Sequence, residues 1–238
     1  MTRILAIACR EVGAFYRLPL GWVVTALYLL LAGGVFTLSV VQPAAPATMR
    51  PFFGISGWML LFVAPAISMR LISEEHRAGS MDGLLSAPIS DWQVVIGKYL
   101  GAAGFLGAMV APTLVYVLVL EVVSNPDYGP IVTGYLGMAL VGMLYLAVGL
   151  LASSLTNNQT VAFLGTLFFL LIARLATAQG PAYIGEPFAG WLFATSIDLR
   201  ESGFARGVID TGDVAFFVAA TVWFLVLTVT VVESRRWR

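Results

Sequence analysis

The stretch YGPIVTGYLGMALVGMLYLAVGLLASSLTNNQTVAFLGTLFFLLIA, residues 128–173, contains no charged side chain. A helix crosses the roughly 30 Å hydrocarbon core of a bilayer with about 20 apolar residues, so this run is too long for one crossing. Its apolar character breaks once, at Ser153, Ser154, Thr156, Asn157, Asn158 and Gln159. A cluster of turn-favouring polar residues predicts a tight connection between two crossing helices. These spans then lie near 131–152 and 160–177.

Charge-free runs on either side supply further spans near 21–41, 52–69, 95–120 and 214–232. Composition agrees, with 59% hydrophobic residues and 11% charged, where a soluble domain carries about 25% charged residues. Mean hydropathy is +0.90. So little polar material cannot coat a water-facing surface, which excludes a soluble enzyme. A disordered chain is excluded as well, since it needs low hydrophobicity and high net charge. Lys and Arg total 13 against 13 Asp and Glu, with no basic stripe, so nucleic acid is not a partner. The alternating strands of an outer-membrane barrel are absent, and the one cysteine, Cys9, permits no disulfide within the chain. The expected fold is an all-α membrane protein, one six-helix transmembrane domain over residues 1–238 with the lipid bilayer as its solvent.

Orientation follows the excess of Lys and Arg in cytoplasmic loops. With both termini cytoplasmic, the inner side holds Arg3, Arg10, Arg17, Arg70, Arg77, Lys98, Arg235, Arg236 and Arg238, against only Arg50, Arg200 and Arg206 outside. The expected location is the cell (inner, cytoplasmic) membrane, crossed several times. The first apolar run exceeds the 7–15 residues of a signal peptide's core, so it is read as a span.

Segments between spans carry their own patterns. In residues 1–17, Ile4, Leu5, Ala8, Val12, Phe15 and Tyr16 recur at three- and four-residue spacing, which predicts an interfacial amphipathic helix. In the loop from Arg70 to Lys98, Ser80 is an N-cap and Asp82 lies in the first turn of a short helix. Met81, Leu84 and Leu85 form its apolar edge, and Pro88 stops it. Two turns are marginal alone, so this helix has to dock on something. Ser90 and Gln93 have capping-box spacing and start the helix that becomes the third span, with Trp92 and Lys98 expected to mark the membrane interface. Pro65 and Pro112 should kink the second and third spans. The outer segment Gln179–Asp213 mixes charges with Phe188, Trp191, Leu192 and Phe193, which predicts a re-entrant or surface-lying helix.

Little here resembles catalysis. Gly97-Lys98 lacks the earlier glycine and the following Ser or Thr of a phosphate loop, so the chain binds no ATP itself. One histidine and one cysteine make a metal site improbable. Gly54-Ile55-Ser56-Gly57 resembles the G-x-S-G of rhomboid intramembrane proteases, but His76 lies at the other end of that span, out of reach of Ser56. Close helix packing explains Gly54 and Gly57 better. Arg174 is the one charge inside a span, and it is expected to snorkel outward or to pair with an outer-loop acid. It is also a candidate pathway or outer-gate residue. No span buries a carboxylate, and Glu121 ends its span.

PAISMRLISEEHRAGSMDGLLSAPISDWQVVIGK, residues 65–98, resembles the loop between spans two and three of ABC-2 type transporter permeases. Ala205 to Val214 and the ending Glu233 to Trp237 look like the gliding-motility-associated branch of that family. Departures are His76, where a basic residue is common, and Ser80 to Gly83, where threonine-leucine-glutamate-leucine is usual. The resemblance implies a permease subunit, with export as the family's tendency, driven by a separate ATPase subunit that holds ATP and Mg. It also implies a second permease chain, identical or not, and an N-terminal elbow helix over 1–17. The short cytoplasmic helix would then be a coupling helix seated on the ATPase. Glu74, Glu75, Arg77, Gly79, Ser80, Met81, Leu84, Leu85 and Pro88 would form the coupling surface, with Ser90, Gln93, Gly97 and Lys98 opening the third span behind it. A membrane anchor or assembly scaffold is the alternative function.

Overall fold

The computed structural model describes residues 2–40, 48–78, 90–183, 185 and 188–235. Among these, no strand occurs and six helical stretches are long and apolar enough to cross a membrane. The helices are α1 (Thr2–Arg17), α2 (Pro19–Ser39), α3 (Arg50–Ser68), α4 (Ser73–Ala78), α5 (Asp91–Val110) and α6 (Leu114–Val123). They continue with α7 (Tyr128–Leu155), α8 (Gln159–Gln179), α9 (Phe188–Ala194), α10 (Ile197–Ala205) and α11 (Thr211–Arg235). Helices α5 and α6 make one crossing, joined by a 3-10 turn at Ala111–Thr113 where Pro112 withholds its backbone donor. Pro65 lies within α3, three residues before its end.

The charge-free pair that opened the sequence is present as α7 and α8, but the connection is tighter than the polar cluster implied. α7 continues through Ser153 and Ser154 to Leu155, and Asn158 caps α8 by accepting from the Thr160 amide at 2.9 Å. Ser153 has a different use. Its hydroxyl accepts from the Ile72 and Ser73 amides (3.1 and 3.0 Å) and donates to the Met69 carbonyl (3.0 Å), satisfying backbone groups at the end of α3.

α7 is the most buried of the six crossings. Its glycines let neighbours approach: Phe53 of α3 fills the place of a Cβ at Gly134, Phe204 at Gly137, Leu106 at Gly142 and Ser68 at Gly149. Around it stand α3, α5, α8, α10 and α11. α1 lies along α5, held by Phe15 stacked on Phe105 at 4.5 Å between centroids. The expected outer segment consists of a 3-10 turn at Gly180–Ala182, then α9 and α10, and α10 packs against α7, α3 and α8. α10 terminates on Gly207, whose φ of 93° a β-carbon would strain. The predicted helix of Ser80, Met81, Leu84 and Leu85, with Gly79 and Pro88, lies outside the described residues. α4, which precedes it, carries no periodic apolar signal and was not foreseen.

Candidate functional site

Two ionic clusters sit at opposite ends of the bundle. The first lies where α1, α4 and the start of α5 meet. The capping box expected at the start of α5 is formed, with Ser90 and Gln93 exchanging side-chain-to-backbone bonds. Trp92 is exposed, whereas Lys98, expected at the interface, is only 2% exposed. A buried ammonium needs anions, and Lys98 Nζ finds Glu11 Oε1 of α1 at 3.1 Å and Glu75 Oε1 of α4 at 2.8 Å. Arg10 also approaches Glu75, at 3.8 Å. One lysine thereby ties together the amphipathic helix, α4 and α5. Gly97 makes this possible, since a Cβ there would collide with Ile7 of α1 at 2.8 Å. Glu75 thus has partners within this chain, while Glu74 and Arg77 are exposed. The signal for the joint was Lys98 itself, a basic residue well inside a helix that continues as a span.

The second cluster surrounds Arg174, which is 1% exposed. It does not reach outward; its partners come to it from α10 and α7. Nε donates to Asp198 Oδ1 at 2.7 Å, Nη1 to the Tyr145 hydroxyl at 3.1 Å, and Nη2 to Glu201 Oε2 at 2.9 Å. The guanidinium lies over the Trp58 ring, 4.4 Å from its centroid. Gly57 admits Glu201 between the helices, because a Cβ there would stand 2.0 Å from Glu201 Oε1. The sequence expectation of no carboxylate buried in a span holds only literally: Glu201 is 5% exposed, on a helix that is not a crossing but packs among crossings. Asp198 and Glu201, three residues apart, share one face of α10. Arg200, on another face, pairs with Asp213 of α11 and stacks on Phe216.

The cluster is over-supplied with acid. Asp198 Oδ2 and Glu201 Oε1 are buried without a hydrogen-bond partner among the described residues. Burial, with Asp198 beside it, pushes the Glu201 carboxyl up to about 7 against the pull of Arg174. A value raised above the unfolded one contributes stability that is complete below about pH 4.5 and lost as pH rises through about 7. The chain is therefore expected to lose thermal stability across that window, and Glu201→Gln to flatten the profile. Melting curves in detergent from pH 4.5 to 8 check this; parallel profiles for the two proteins contradict it.

Other candidates resolve simply. Ser56 is fully buried and donates to the Phe52 carbonyl at 2.7 Å, as a helix-internal serine does. No group of His, Cys, Asp and Glu suited to a metal occurs among the described residues. An almost wholly apolar cavity of about 560 Å³ opens between α2, α3 and α8, walled by Leu27, Tyr28, Trp58, Phe62 and Phe163. Trp58 is shared, with the Arg174 guanidinium stacked on its ring and the cavity against its side chain.

The six membrane-length helices among the described residues define a polytopic α-helical membrane protein. Residues 44–193, more than half of the chain, match the ABC-2 family transporter protein family, and the chain belongs to it. Two curated relatives, both named probable multidrug ABC transporter permease YbhR, come from Escherichia coli strain K12 and Escherichia coli O157:H7. Each is 32% identical over 104 residues, which is 44% of this chain. The match spans 28% of each relative's length.

Proposed function

We propose that this chain is the permease (transmembrane) subunit of an ATP-binding cassette transporter, without ATPase activity of its own, driven by a separate ATPase subunit. The family match carries this reading, because residues 44–193 include the 79–89 segment and the helices on both sides of it. In this account the apolar edge of Met81, Leu84 and Leu85 seats on the ATPase, with Arg77 and Glu74 at the rim. Movement of that segment reaches α1 and α5 through Lys98, and α3 and α7 through Ser153. Both termini and the loop face the cytoplasm, and a second permease chain completes the pathway.

The relatives' name supports a drug-like cargo, and so does the apolar cavity beside Trp58. Export is the direction proposed. The gliding-motility-associated branch rests on residues 205–214 and 233–237 alone. The test is ATP hydrolysis by the chain reconstituted with its ATPase subunit. Hydrolysis that rises with amphipathic aromatic compounds is expected, and Trp58→Ala should blunt the rise. A scaffold without transport gives hydrolysis indifferent to any cargo, and that result would overturn the proposal.

A further inference from the structure

The two ends of α10 are held in different ways. Toward its C-terminus, Phe204 fills the place of a Cβ at Gly137, and the Phe204 carbonyl accepts from Thr133 Oγ1 of α7 at 2.6 Å. Toward its N-terminus the hold is ionic, with Asp198 and Glu201 both accepting from Arg174. A change of charge in that cluster therefore acts on one half of the helix and not on the other.

The charge of the cluster does not balance. Helices α3, α7 and α8 pack against α10. The titratable groups they turn toward Glu201 are Tyr145 from α7 and Arg174 from α8, with Asp198 beside it on α10 itself. α3 brings Gly57 against Glu201 and Trp58 against Arg174, neither of them charged. Arg200 is turned to Asp213 instead. With both carboxyls ionised, two negative charges face one guanidinium, and the surplus is buried, which is costly. The oxygens left over are Asp198 Oδ2 and Glu201 Oε1, buried without a hydrogen-bond partner among the described residues. Both are sealed, so water does not reach them and a metal ion with its coordination shell has no room. A proton needs none.

We propose that this cluster is a proton-binding site: one proton from the adjoining aqueous phase completes it as the neutral acid of Glu201, and its release frees the N-terminal half of α10 from the bundle. Asp198, whose side chain is 30% exposed, is the way in and out. With the proton bound, one carboxylate faces one guanidinium. After its release, two carboxylates repel each other on one face of α10. Burial with Asp198 alongside places this change at about pH 7. The motion is local and pivots on Phe204 and on Gly207, where α10 ends. Neither binding nor release depends on ATP or on the proposed coupling role.

Two readouts on the full chain in lipid nanodiscs test the proposal. Infrared difference spectroscopy across a pH series follows the carbonyl stretch of a protonated carboxyl group. A band that disappears as pH rises through about 7 is expected, and its loss in Glu201→Gln, whose amide imitates the protonated state. Asp198→Asn should keep the band and lower its midpoint by about one pH unit, because one neighbouring anion is gone. The second readout is the distance between spin labels at Leu199→Cys of α10 and Val132→Cys of α7, both exposed, in a Cys9→Ser background. It should lengthen as pH rises through about 7 and stay short throughout in Glu201→Gln. A band unchanged by Glu201→Gln would overturn the site, and one lost only in Asp198→Asn would overturn its assignment to Glu201. A distance indifferent to pH beside a titrating band would overturn the release of α10.

Discussion

Arg174→Ala is expected to lower the melting temperature of the purified chain by about 10 °C. The side chain is buried with two carboxylates, a tyrosine hydroxyl and an indole face around it. Removing one partner of a buried ion pair costs about 3–5 kcal/mol, because the other charge is left buried and unpaired. At roughly 2–4 °C per kcal/mol for a chain of this size, the shift spans the stated value. Arg174→Lys should recover only part of the loss, since one ammonium cannot serve acceptors that now use Nε, Nη1 and Nη2. The triple variant Arg174→Met, Asp198→Asn, Glu201→Gln should recover most of it, because no bare charge remains. A melting temperature unchanged by Arg174→Ala would mean that α10 is held by apolar packing alone. The cluster would then be no tie between the outer helices and the crossings.

Leu84→Asp with Leu85→Asp should abolish co-purification of the ATPase subunit while leaving membrane insertion intact. Burying one leucine is worth about 1.5–3 kcal/mol, and an aspartate in an apolar groove adds a desolvation cost. A loss above about 3 kcal/mol weakens association at least about 100-fold. Insertion survives because both residues lie outside the six crossings. Pull-down from solubilised membranes, with the variant's abundance in the membrane fraction as control, measures the effect. An intact complex would place the contact elsewhere.

Much of this architecture is visible in residue order, because a bilayer demands long apolar helices and charges mark where they stop. The six crossings, the amphipathic 2–17 helix and the Ser90–Gln93 box all rest on neighbours within a few turns. What escaped was tertiary. Lys98 meets Glu11 across 87 positions and Ser153 meets Ile72 across 81. No local pattern distinguishes a lysine at an interface from one buried between two acids. Ser153 and Ser154 read as a turn because serine favours turns, yet a helix tolerates serine when its hydroxyl has work in a neighbouring segment. Arg174 was legible as a residue in need of an acid. Its choice of Asp198 and Glu201 was not, since the outer segment holds several other acids and only the fold of α10 brings these two inward.

The proposed coupling role makes residues 79–89 the mechanical contact with an ATP-hydrolysing subunit. Cys9 is the chain's one cysteine and is exposed, so Cys9→Ser frees the background for Leu84→Cys. Crosslinking from position 84 in native membrane vesicles then reads the contact directly. The expected result is a product joining this chain to a nucleotide-binding subunit, in a yield that changes when ATP is added. Products confined to this chain's own helices, indifferent to ATP, would contradict it.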